Sequence, residues 1–232
     1  MRHAFTHGSH VASECTGAFL LGAAGILNGK QATTHWFYAD EFRRRFPEVH
    51  LRLDQLIVDE GNIVTCGGAT SCLNLVIYLA GKHFGPDLAV LASKMFLIDM
   101  DRPSQLPFHI FSFPLVNGDR SIARSQKFIK ENFHEDLGLE DLARQVGISL
   151  RNFSRRFKTA TGKSVTNYVQ EFRLQEAKQL LESSNLSASE IMYQVGYNDE
   201  RSFRRLFKRH TGLSPKHYRN KFRLSFHKVA QA

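Results

Sequence analysis

The 232-residue sequence predicts two domains of different class, an α/β domain followed by an all-α one. Three observations carry that expectation. Helical and strand-like patterns alternate up to about residue 97, and only helical patterns follow residue 119. The charge divides at the same place: residues 1–118 hold 9 Lys and Arg against 10 Asp and Glu, and residues 119–232 hold 22 against 12, so a net charge of −1 gives way to +10. Finally, a stretch at 145–164 recurs at 194–214. With 42% hydrophobic and 11% aromatic residues and no low-complexity tract, the chain can bury an ordinary core.

In the first half, "SECTGAF" (13–19) reads as strand, sharp turn, Cys15 and then helix, the layout that exposes a nucleophile above an α/β sheet. The helix spans 17–27 and closes at "NGK". Its "GAFLLGAAGIL" has the length of a signal-peptide core, but a single Arg precedes it. No apolar run approaches the ~20 residues that span a bilayer, so a cytoplasmic protein without a membrane partner is expected. A second helix spans 35–46 and stops at Pro47. Strands at 49–53 and 62–66 flank a turn at "DEG", and a helix at 67–85 opens on a glycine pair. Cys15, Cys66 and Cys72 form neither a paired framework nor a CxxC, which fits a reducing compartment. No metal site and no cofactor are expected. The stretch 101–119 holds three of the six prolines and ends in Asn-Gly, so it reads as a linker between a domain at 1–115 and one at 119–222.

In the repeat, Phe153, Phe157, Lys158, Thr161, Gly162 and Ser164 recur as Phe203, Phe207, Lys208, Thr211, Gly212 and Ser214. Each copy is a short helix, a glycine turn and a second helix, which is a helix-turn-helix, at 139–160 and at 187–210. Gly147 and Gly196 suit the positive φ of the turn. Ser149, and Asn198 or Asp199, can cap the second helices, and Ser187 with Glu190 makes a capping box. On a 3.6-residue wheel the paired phenylalanines face inward. The opposite face carries Arg151, Ser154, Arg155 and Lys158 in one copy and Arg201, Arg204, Arg205 and Lys208 in the other. A charged stripe is often only a solvated face, but this one is nearly all basic, occurs twice and lies on the helix that enters the major groove in this motif. Double-stranded DNA is the expected partner. Arg151, Arg155, Arg201, Arg204 and Arg205 are the base-reading candidates, because arginine bonds bidentately to guanine. Glu200 either accepts from cytosine N4 or is simply a favourable charge in the first turn of its helix. Lys158, Lys208 and Arg209 lie later and fit phosphates. A linking helix at 164–183 spans roughly 27 Å, enough to hold two recognition helices near the ~34 Å spacing of successive major-groove segments.

Residues 119–222, with both units, the linking helix and the closing "GLSPKHYRNKF", resemble the DNA-binding domain of the AraC/XylS family of bacterial transcription regulators. The resemblance implies base contacts at Arg151, Ser154 and Arg155, and at Glu200, Arg201, Arg204 and Arg205, with RNA polymerase as a further contact. Gly138 stands where the family often has a Ser or Thr cap.

The segments "VASECTGAF", "LNGKQATTHW", "VTCGGATSCLNLVIYL" and "DRPSQLPF" make residues 9–108 similar to a PfpI-type, class I glutamine-amidotransferase-like domain. That is a doubly wound fold, joined to AraC-type modules in the GlxA-like subgroup. Such domains carry further strands and helices ahead of the cysteine elbow, and a start codon assigned too late is favoured here over a truncated gene. The resemblance implies an effector-binding or homodimerising domain, with Cys15 and His35 as candidates for an effector pocket. The alternative is a cysteine-dependent hydrolase or amidotransferase centred on Cys15. Against it, Thr16 stands where PfpI-type hydrolases carry histidine, Glu14 alternates to the other face of its strand, and His35 beside Trp36 is more often a packed or capping residue. The expectation is therefore no enzyme.

Overall fold

The computed structural model describes residues 1–100 and 102–223 and divides into two compact units, one ending at His109 and the other beginning at Ile110.

The first unit opens with α1 (Arg2–Thr6), β1 (Val11–Glu14) and α2 (Gly17–Ala23). The helix expected over 17–27 stops at Ala23, and the turns that follow it bury Ile26 and Leu27. Then come β2 (Gln31–Ala32), a 3-10 turn at Trp36–Tyr38 and α3 (Ala39–Arg45). They are followed by β3 (His50–Leu51), β4 (Ile57–Asp59), β5 (Ile63–Cys66), α4 (Cys72–Phe84) and α5 (Pro86–Met95). The three-stranded sheet has the order β1-β5-β4, with β1 parallel to β5 and β4 antiparallel to it. The "DEG" turn therefore joins β4 to β5, and β3 instead pairs in parallel with β2. All four residues of β5 are buried, as befits a strand covered on both faces. Ile63 faces the cluster of Leu21, Leu27 and Phe42, while Val64 and Cys66 face Leu56 and Leu75.

The supposed linker is anchored at both ends, so the first domain closes before residue 115. Gln105 is buried in the first unit, where its amide donates to Thr33 Oγ1 and the Thr34 carbonyl and its oxygen accepts from Trp36 N–H, all at 2.9 Å. Phe111 belongs to the core of the second unit.

The second unit is helical: α6 (Arg120–Asn132), α7 (Leu139–Gln145), α8 (Leu150–Thr161), α9 (Val165–Ser183), α10 (Ala188–Gln194), α11 (Glu200–Thr211) and α12 (Pro215–Phe222). Gly147 and Gly196 sit at φ +71° and +84° in the turns, and a Cβ at Gly196 would come within 2.6 Å of the His134 carbonyl oxygen. The recurring residues are mostly scaffold. Phe153, Phe157, Phe203 and Phe207 are fully buried. Thr161 and Thr211 lie 2.7 and 2.8 Å from the Phe157 and Phe207 carbonyls and accept from the amides of Lys163 and Leu213. Ser164 and Ser214 cap α9 and α12. The repeat runs on into Tyr168 and Tyr218, each edge-on to its own phenylalanine at 5.2 and 5.4 Å.

Two cores result. One gathers Ile122, Ile129, Leu142, Phe153, Phe157 and Tyr168, and the other gathers Leu174, Leu181, Ile191, Phe203, Phe207 and Tyr218. Helix α9 serves both. Lys178, 2% exposed, lies in the second core with its ammonium over the rings of Phe111 and Tyr218 at 5.6 and 5.5 Å. Burial pushes its pKa down to about 8, against the opposing pull of Glu182.

Between that value and the unfolded one of ~10.4 the unfolded chain holds the extra proton, so Lys178 makes stability rise with pH. Urea unfolding should show a rise from pH 8 to 10 that Lys178→Met removes. A rise of equal size in the variant would rule out this assignment.

Candidate nucleic-acid interface

Helices α8 and α11 have the same construction: phenylalanines inward, charge outward. On α8, Arg151, Arg155 and Lys158 are exposed and Ser154 is half-buried. On α11, Glu200, Arg201, Arg204, Arg205, Lys208 and Arg209 are all exposed. The starts of the two helices are set differently. Ser149 occupies the N-cap of α8 without a side-chain bond, whereas Asp199 caps α11 by accepting from Ser202 N–H at 2.7 Å. Ser187 and Glu190 form the full capping box of α10, and Gly138 begins α7 with no side-chain cap.

Not every expected basic group stands free. Arg204 ion-pairs with Glu200 one turn earlier, so two base-reading candidates hold one another in the unbound protein. Arg155 donates to Asn152 Oδ1 at 3.0 Å. Arg156 turns to the flank of α8 and binds Asp119 with Nε and Nη2 at 2.9 and 2.6 Å. That guanidinium holds the Asp119 carboxyl below the usual carboxylate range. Leu206 occupies the matching position fifty residues on.

Three positioning features have no obvious signature in a helical wheel. Arg173 on α9 donates to the carbonyls of Phe133, Gly196 and Glu135, and its guanidinium lies over Tyr197 at 5.3 Å. Asp119 both caps α6 and binds α8. Phe111 and Phe113 dock an extended segment onto the helices. Of the tyrosine pair noted above, the fifty-residue offset alone could have given warning.

In the first unit, the backbone of Cys15 has φ +50°, the strained geometry of a nucleophile elbow. It is held by its own N–H, which lies 3.0 and 3.1 Å from the Cys66 and Gly67 carbonyls, and by Thr34 Oγ1, which donates to its carbonyl at 2.7 Å. His35 lies at the same end of the sheet, where a Cβ on Gly68 would come within 3.3 Å of its ring. Its Nδ1 accepts from Phe37 N–H and so caps the 3-10 turn, and burial lowers its pKa. Among the described residues no hydrogen bond joins His35 to the Cys15 thiol, and Glu14 is exposed. A cleft of about 450 Å³ elsewhere in this unit, lined by Leu56, Ile57, Ile77, Ala89, Val90 and Met100 among others, includes neither Cys15 nor His35.

The family described as a helix-turn-helix domain matches residues 142–221, and the DJ-1/PfpI family matches residues 1–80. The HTH-type transcriptional regulator GlxA of Rhizobium meliloti is 28% identical over 193 residues, covering 82% of this chain and 59% of its own length. The chain thus spans little more than half the length of such curated relatives. Isonitrile hydratase of Pseudomonas putida is 41% identical over 83 residues, 35% of each protein. The DNA-binding domain of AdpA, a global transcriptional factor solved in complex with a target DNA, is 30% identical over 49% of this chain and 100% of its own, with a TM-score of 0.44. No helix among the described residues is long and apolar enough to cross a membrane.

Cys15 and Cys72 are partly exposed, whereas Cys66 is buried with its thiol pushed up by that burial. In the folded protein a maleimide should therefore label Cys15 and Cys72 well before Cys66. Labelling of Cys66 at the same rate, read by mass spectrometry, would contradict the packing described.

Proposed function

We propose that this chain, which joins a DJ-1/PfpI-family segment to an AraC-type helix-turn-helix domain, is a sequence-specific DNA-binding transcription regulator. The observation that carries this reading is the pair of basic faces on α8 and α11, presented from one compact unit. Helix α9 has 19 residues and spans about 28 Å at 1.5 Å per residue, a length that suits two recognition helices entering successive major-groove segments.

In this reading Arg151, Ser154 and Arg155 meet bases in one segment, and Glu200, Arg201, Arg204 and Arg205 meet bases in the next. Lys158, Lys208 and Arg209 hold phosphates. The Glu200–Arg204 pair opens on binding, the carboxylate turning to a cytosine N4 and the guanidinium to a guanine. The net charge of +10 on residues 119–232 supplies the sequence-independent attraction.

The first unit binds a small-molecule effector or pairs two copies of the chain, and the bound regulator contacts RNA polymerase in the cytoplasm. Catalysis is no part of this reading. The elbow geometry survives at Cys15, but His35 spends its Nδ1 lone pair on a cap and no other base bonds the thiol among the described residues.

Gel shifts on a duplex selected by the whole chain test the proposal. Arg204→Ala should weaken the selected duplex by about 1–3 kcal/mol and relax one base position. Lys208→Ala should weaken all duplexes alike and reduce the salt slope by about one. Equal loss on every sequence from Arg204→Ala would sink base reading at that residue.

A further inference from the structure

We infer that the extended strap at residues 110–119 sets the spacing and roll of the two recognition helices, with Phe113, Asp119 and Arg156 as positioning residues for DNA reading. The inference rests on the DNA-binding proposal above.

The strap has little regular structure of its own, yet it is tied along its length. Phe111 N–H donates to Gln175 Oε1 on α9 at 3.1 Å, and the Phe111 ring is buried in the core of the second helix-turn-helix. Val116 N–H donates to Gln126 Oε1 on α6 at 2.8 Å, while Gln126 Nε2 donates to the Pro114 carbonyl at 3.0 Å. Between these ties sits Phe113. Its ring packs against both cores, with edge contacts to Tyr168 at 5.1 Å and Phe172 at 5.0 Å. Lys163 covers Phe111 and Phe113 from outside, at 5.9 and 5.7 Å. A ring wedged between two cores fixes their separation, because packed interiors resist changes of even one methylene.

Asp119 ends the strap. One carboxylate accepts from Ile122 N–H to start α6 and takes both nitrogens of the Arg156 fork on α8. Arg156 adjoins the reading residue Arg155, so the latch controls the angle at which the reading face of α8 is presented. A cleft of about 580 Å³ separates the strap from α8, bordered by Asn117, Arg155, Arg156 and Thr159 among others. The flank of α8 is thus not packed continuously against the strap, and the latch carries the contact at that end. The matching residue of α11 is Leu206, so this restraint belongs to the first reading helix alone.

The test uses the full chain and a duplex enriched from a random pool by the wild type. Companion duplexes carry one half-site only, or both half-sites moved by about one to three base pairs from the enriched spacing. Asp119→Asn keeps a capping oxygen and removes the charge that binds Arg156; Phe113→Leu keeps an apolar side chain and removes the bridging ring. Each variant should bind the enriched duplex about tenfold more weakly, ~1.4 kcal/mol, hold the single half-sites within about twofold, and lose the preference for one spacing. Variants that keep the wild-type spacing profile, or lose affinity equally for half-sites and whole sites, would overturn the positioning role. A wild type that enriches no sequence would overturn the DNA-binding reading with it.

Discussion

The second unit depends on a constraint that falls on Arg173. Its guanidinium bonds three backbone carbonyls, two in the loop that follows α6 and one in the glycine turn of the second helix-turn-helix. Carbonyls left in loops and turns need donors when packing shuts out water, and one planar fork satisfies three of them from the middle of α9. The same place is where Gly196 passes so close to His134 that a side chain could not fit. Two helix-turn-helix units joined only by a helix could bend about it. A charged side chain at the helix midpoint, tying the loop after α6 to the glycine turn of the second unit by their backbones, opposes such bending.

Around this rivet the duplication repeats both the scaffold and most of the outward basic face. Some residues that recur unchanged bury rings, close helices and open the next ones: phenylalanine, threonine and serine in each copy, with a tyrosine behind them. Others, Arg151 and Arg201, Arg155 and Arg205, Lys158 and Lys208, repeat the outward basic face. The residues that differ between copies lie outward or on the flanks: Ser154 against Arg204, Asn152 against Ser202, Arg156 against Leu206. The two copies therefore share one way of folding and most of one basic face, and differ on that face at the Ser154/Arg204 position.

Much of this was legible in the sequence. Periodicity sufficed for α7 to α11 because a 3.6-residue repeat survives in any helix with one buried face, and the basic faces followed from the same wheel. The first half was harder. β4 is three residues long and was concealed within the approach to the "DEG" turn, so β5 acquired the wrong partner. Short strands hold too few alternations to announce themselves. The 101–119 stretch misled for another reason: proline does not forbid docking, and Gln105 is bound at the start of a 3-10 turn while Phe111 and Phe113 are bound in irregular backbone. Arg156 and Arg155 look alike on a list of basic residues. Only the approach of Asp119 from a different element separates a side chain held by a carboxylate from one on the outward basic face.

The elbow at Cys15 has a consequence for how chemistry can come and go in a fold. The bonds that hold its backbone come from main-chain groups and the Thr34 hydroxyl, and none of them involves sulfur. The conformation is thus a property of the socket rather than of the residue seated in it. A small side chain could be exchanged there without disturbing the sheet, and a base could be added or withdrawn from neighbouring turns in the same way. In such a scaffold the difference between a reacting protein and a sensing one can be a few side chains set into an unchanged frame.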